Sequence, residues 1–258
     1  MTRLLPIICL GLVSALVAEE ATPDSLLDGV VLFEKAYQSW DAKAFAKAEV
    51  VLRLTAASTS TNRAGALYWL GVTEFHHMLC LRTGGSPRAD EKAVAERMDA
   101  AIHTFKALLE LAPTHPEGHA LLGTLYGMKI EGNLFRAIRY WPDVQKHQKA
   151  ALRHGRENPR VHYLLGVGLF HIAGNHREFE EARATLQRAA ELFDRERQQP
   201  RQGWEPRWGH GDCLAFLGQV EERLGRHTEA EKAFRRALEV HPGHSLALDG
   251  LRRRDVNR

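Results

Sequence analysis

From about Leu26 onward, apolar residues recur at three- and four-residue spacings along almost the whole chain, the period of a helix that buries one face. Leu26 to Tyr37 and Ala42 to Leu54 predict a first helix pair. Downstream, Leu67-x2-Leu70-Gly71, His119-x2-Leu122-Gly123-x2-Tyr126, His162-x2-Leu165-Gly166 and Leu214-x2-Leu217-Gly218 each open a helix with one apolar face. A second segment follows each: Ala101-x3-Phe105-x2-Leu108 before Pro113, His147-x3-Ala151 before Pro159, Ala182-x3-Leu186-x2-Ala189, and Ala230-x3-Phe234-x2-Ala237 before Pro242. The chain beyond its N-terminal segment therefore reads as nearly all helix.

The spacing has a packing reason. Gly218 and Ala230 are small where two antiparallel helices cross, Phe234 fills the gap toward the neighbouring pair, and Pro242 stops the second helix. This pattern resembles the tetratricopeptide repeat, and the resemblance implies an all-α, right-handed solenoid of helical hairpins, about four to five pairs. The solenoid is expected over residues 24–250, with 251–258 as a basic tail containing Arg252, Arg253 and Arg254. The distance from Leu-Gly to the second-helix Ala position grows toward the N-terminus: Leu217 to Ala230, Leu165 to Ala182, Leu122 to His147, Leu70 to Ala101. In the second pair the extra residues flank Thr83-Gly84-Gly85-Ser86-Pro87, a turn signal, so both helices should be long. In the third the excess holds Gly132-Asn133 and Trp141-Pro142, breakers that predict a short additional helix.

The N-terminus follows other rules. Arg3, the apolar run Leu4 to Ala18 and the abrupt Glu19-Glu20 predict a secretory signal over residues 1–18, cleaved near Ala15 or Ala18. The run is shorter than the roughly 20 residues a membrane span needs, so no stable span is expected after its removal. On that expectation the protein would lie outside the cytoplasm, in a bacterial periplasm or secreted. An oxidising compartment would let Cys80 and Cys213 bridge if the fold joined them. They stand on first helices three repeats apart, and a solenoid contacts only its neighbours, so both are expected to stay unpaired. The net charge of +3 is too mild for a nucleic-acid footprint.

Catalytic motifs are absent: no nucleophile elbow, phosphate loop, His-Glu-x2-His or paired Cys-x2-Cys. No enzyme activity and no cofactor are expected. Glu74, His76, His77 and Cys80 form the best local metal candidate, but their spacing does not close a zinc site and no metal is assigned.

The resemblance implies that the first helices line a concave groove. Counting from each Leu-Gly assigns Tyr68, Val72, Phe75, His76, Thr124, Met128, Tyr163, Val167, Phe170, His171, Gln219, Glu222 and Arg223 to it. The family branch that grips chaperone tails uses Lys and Asn where this chain has Tyr68, Val72, Ala120, Thr124, Tyr163, Val167, Ala215 and Gln219, so that clamp is missing. Phe135, Arg136, Arg139, Tyr140 and Trp141, with Trp204, Arg207 and Trp208, are candidates for a rim, since Trp and Arg are typical of contact hot spots. The same tryptophans would equally pin irregular segments to the solenoid. The Pro206-Arg207-Trp208-Gly209 stretch is similar to one in other exported bacterial tetratricopeptide proteins. The expected partner is a protein or peptide. A small-molecule or solute-transporter-associated binding subunit is the alternative, which a pocket between helices would favour.

Overall fold

The computed structural model describes residues 23–58, 62–83 and 91–256. The expected signal segment, Cys9 and the turn following Thr83 lie outside the described residues. Among those described are eleven helices: α1 (Pro23–Ser39), α2 (Ala42–Ala57), α3 (Arg63–Thr83), α4 (Glu91–Leu111), α5 (Pro116–Ile130), α6 (Leu134–His154), α7 (Pro159–Ile172), α8 (His176–Arg197), α9 (His210–Arg223), α10 (His227–Val240) and α11 (Ser245–Val256). They pack as five consecutive hairpins with α11 against the last, each first helix also touching the next pair, as a tetratricopeptide solenoid requires.

Local chemistry sets the boundaries. Asp41, Asn133, Asn158 and Asn175 cap α2, α6, α7 and α8 by accepting hydrogen bonds from backbone N–H groups of the first turn. Pro116 and Pro159 occupy first-turn positions of α5 and α7, where the missing donor costs nothing. The long second pair is present as α3 and α4, each of 21 residues.

The glycine of each Leu-Gly sits against the second helix of its own pair. A Cβ on Gly71 would lie 2.7 Å from the Phe105 ring, on Gly166 2.7 Å from Leu186, and on Gly218 2.5 Å from Phe234. Gly250 of α11 repeats the contact from the other side of Phe234, also at 2.5 Å. Thus α11 acts as the first helix of a further repeat, covering the last hairpin's apolar face.

Two expectations for the third pair are corrected. No separate short helix forms: α6 runs unbroken through Trp141 and Pro142. Pro142 removes only one ladder bond, and Leu134 to Trp141 are largely exposed, so the cost falls where water can solvate the carbonyl left over. His147 is also displaced from the Ala position assigned to it. It packs its Cβ 3.4 Å from where a Gly123 Cβ would stand, which is the place Phe105 and Phe234 hold in their pairs. With no aromatic residue to mark that place, the pattern is ambiguous by one helical turn. His147 is held there by His119, the two Nδ1 atoms 2.8 Å apart, with His119 Nε2 donating to the Pro113 carbonyl at 2.9 Å. Burial, and then the neighbouring His119, bring the His147 pKa down to about 4, so its imidazole is neutral.

The superhelix turns tightly enough for its ends to meet. Tyr37 of α1 donates its hydroxyl hydrogen bond to Asp212 of α9 and accepts one from the Gly209 N–H at 3.2 Å. His241, just past α10, donates to the Gln38 carbonyl at 3.2 Å, and Arg201 pairs with Glu34. Burial opposes the charge on Asp212, yet His244 and Tyr37 hold its pKa at about 2.

Candidate interaction surface

The connection between α8 and α9, residues 198–209, runs along the inside of the solenoid and fills part of the concave face. Trp208 is buried, its indole N–H donating to the Tyr68 hydroxyl at 2.9 Å, its ring 5.0 Å from His76 and 6.4 Å from Tyr163. Trp69 donates to the Trp204 carbonyl at 2.9 Å, and Trp204 lies over Gly65, where a Cβ would come within 3.1 Å of its ring. Gly209 turns the strap into α9 with φ 95°, a left-handed conformation that favours glycine.

Arg160 is the strap's anchor. Its guanidinium makes a bidentate pair with Glu196 at 2.6 and 3.1 Å, donates from Nε to Glu117 at 3.0 Å, and reaches the Pro206 and Trp208 carbonyls at 2.7 and 3.5 Å. Glu117 also accepts from Tyr68 and from Asn158, the latter at 2.7 Å. Burial pushes the Glu117 carboxyl up, but Arg160 together with the hydrogen bonds from Tyr68 and Asn158 holds the group below the ordinary carboxylate range. Burial and the adjacent Glu117 push the Tyr68 phenol well above its usual value. Tyr68, Pro206 and Trp208 stood out in the sequence, but Glu117, Asn158, Arg160 and Glu196 did not, because they are single polar residues in separate segments.

Consequently the groove assigned from sequence divides in two. Tyr68, Val72, Phe75, His76 and Tyr163 are buried, packed by the chain's own segment rather than lining an open channel. Thr124, Met128, Val167, Phe170, Gln219 and Glu222 remain half-exposed, and His171 and Arg223 exposed. These lie toward the C-terminal ends of α5, α7 and α9, beyond the strap. Phe170 anchors an aromatic cluster there, 6.0 Å from Phe216 and 6.1 Å from Phe179, with His171 5.9 Å from Phe216. The Arg223 guanidinium spans the Phe170 and Phe179 rings at 5.9 and 5.7 Å.

The proposed rim is likewise split. Trp208 is buried and Trp204 partly exposed, whereas Phe135, Arg139 and Trp141 are exposed and Tyr140 is half-buried, stacked on Tyr126. Phe135, Arg139 and Tyr140 border an open cavity of about 860 Å³ with Val94, Met98 and Met128. A second cavity, about 560 Å³, lies where α1 meets α9 and the α10–α11 turn, walled by Phe33, Tyr37, Trp69 and Trp208.

The metal candidate disperses: Glu74 binds Arg53 and Thr104, His77 binds Glu49, His76 contacts the Val72 carbonyl and Cys80 the Trp40 carbonyl. Cys80 and Cys213 are buried and unpaired, as the repeat order requires.

Stacked helical hairpins with a small-residue crossing in each pair define a tetratricopeptide-type solenoid. Residues 212–251 match the tetratricopeptide repeat family, so this stretch carries that repeat in sequence as well as in fold. No curated protein matches the chain. Among solved structures, a thermophilic tetratricopeptide protein of Thermus thermophilus superposes with a TM-score of 0.60 at 18% identity, covering 88% of this chain and 97% of that one. MamA gives 0.40 at 24% identity over 62% and 78%, and MamA from Desulfovibrio magneticus RS-1 gives 0.39 at 16% over 87% and 99%. The first of these supports the fold; the other two superpose too loosely to bear on it.

Proposed function

We propose that the protein is an exported, non-catalytic scaffold that binds a protein or peptide partner on the part of its concave surface left open beyond the strap. Solenoids of this type present extended concave surfaces to partners. The observation that carries the reading is the half-exposed cluster of Phe170, Phe179 and Phe216 under Arg223, an aromatic and Arg combination enriched at contact hot spots. Export rests on the sequence from Arg3 to Ala18.

The test is capture of partners by the tagged mature chain, followed by affinity measurement on the recovered protein. Phe170→Ala and Arg223→Ala should each weaken binding by about 1–3 kcal/mol with helicity unchanged. Wild-type affinity in both variants sinks the site. Cell fractionation that leaves the uncleaved chain in the cytoplasm sinks the export.

A second reading, a small-molecule binding subunit, draws on the 560 Å³ cavity, a size and aromatic lining suited to a small ligand. Native mass spectrometry of the purified mature chain tests it: a bound mass lost on Trp69→Ala supports it, and an unliganded mass that no metabolite extract changes removes it.

A further inference from the structure

We infer that the outer face of α6 is a docking surface for an anionic lipid membrane, lying on the bilayer rather than crossing it. Leu134, Ile138 and Trp141 follow one another at i, i+4 and i+7 and share a face, with Phe135 beside it. Their exposures are 71, 68, 41 and 83% for Leu134, Ile138, Trp141 and Phe135, values that a core-forming stripe does not show. The stripe that packs α6 on the solenoid is a different one, Val144, His147 and Ala151. An apolar face this large on a helix already satisfied by its neighbours marks an interaction site.

Charge selects the occupant. α6 carries five Lys or Arg against a single Asp, while the whole chain exceeds neutrality by only three. Arg139, Lys146, Lys149 and Arg153 fall along one flank of the apolar stripe at the helical period, all exposed. Among the described residues none of these four has an ion-pair partner; of the cations in α6 only Arg136 does, with Glu131 at 3.8 Å. The neighbouring second helix is built the opposite way. In α8, Arg177, Arg183, Arg188 and Arg195 are each paired with a Glu. A protein groove would need complementary shape and neutralising carboxylates at fixed points. An unpaired basic flank beside Leu, Phe, Ile and Trp instead fits a surface that is apolar at depth and diffusely negative at its edge. Trp141 suits the boundary between the two, where its ring can remain partly wet. The surface is separate from the Phe170 cluster, so either site can fail without the other.

The experiment is co-sedimentation of the mature chain with vesicles of phosphatidylglycerol and phosphatidylcholine, compared with phosphatidylcholine alone, at low and high salt. Binding to the anionic vesicles, weakened by salt, is expected. Phe135→Asp with Ile138→Asp should lower the partition coefficient about tenfold or more, and Lys146→Glu with Lys149→Glu likewise at low salt. Both pairs are exposed, so circular dichroism and the melting curve should match wild type. Val50→Asp with Leu54→Asp, exposed apolar positions on α2, should bind normally. The inference is overturned by equal binding to both vesicle types, by no binding at low salt, or by equal losses in the α2 control. A concentration-dependent rise in size that the Phe135 and Ile138 substitutions abolish, without vesicle binding, would assign the face to a second copy instead.

Discussion

Replacing Arg160 with Met tests whether the strap is locked by charge. The Arg160 side chain is buried, and Met keeps much of its stem volume while deleting every donor. What remains is Glu117, buried, with only Tyr68 and Asn158 as donors, and the Pro206 and Trp208 carbonyls without their guanidinium. Removing one partner of a buried ion pair costs about 3–5 kcal/mol, chiefly for the charge left behind. At roughly 2–4 °C per kcal/mol for a chain of this size, the melting temperature should fall by about 6 to 20 °C. The pH dependence has a definite sign. In the wild type the Glu117 pKa is depressed by Arg160, so its contribution to stability is present above the unfolded value near 4.3 and is lost as pH falls through the folded value. Without Arg160, burial is opposed only by the Tyr68 and Asn158 hydrogen bonds and the folded pKa rises, so the deficit of the variant should be small at acid pH and widen as pH passes roughly 4.3. Adding Glu117→Gln should recover part of the loss at neutral pH. Urea unfolding of the wild type, both single variants and the double variant across pH 4 to 7 gives the answer. A cost under about 1 kcal/mol, or a double variant no better than Arg160→Met, would refute the anchoring role.

Gly218→Leu should cost about 1–3 kcal/mol in urea unfolding, because even a Cβ there meets Phe234 at 2.5 Å. Tyr163→Ala should lower the melting temperature, since Tyr163 packs on Trp208, whereas Phe170→Ala should leave it nearly unchanged; the reverse order would invalidate the division of the groove. Cys80 and Cys213 should react slowly with a thiol reagent in a folded chain cut to residues 19–258 and give two equivalents after unfolding without reductant, burial having raised both pKa values. Stability should decline as pH falls from about 6.5 toward 4, because His147 and His210 are held neutral by burial at pKa values of about 4 while the unfolded chain takes up protons near 6.5. His147→Gln should flatten that slope.

The helical hairpins were legible because their determinants are local. Gly71, Gly166 and Gly218 meet Phe105, Leu186 and Phe234 within one hairpin, and such spacings repeat along the chain. Where the local mark was missing, as at His147, the reading slipped by a turn. Gly250 is poorly marked in the sequence, since of the Leu-x2-Leu-Gly pattern only Leu246 is kept and Asp249 replaces the second leucine.

Sequence alone thus determined the repeat, the length of its second pair, the separation of the two cysteines, and the aromatic and Arg-rich run from Phe135 to Trp141, though not the single helix that carries it. Only the tertiary structure decided which aromatic residues are available. Tyr68, His76 and Tyr163 are aromatic groove positions like Phe170 and His171, but the first three lie under a strap that has no period of its own. The meeting of Tyr37 with Asp212 is likewise invisible in any window of sequence. It arises from small rotations added hairpin by hairpin, whose sum no single repeat encodes.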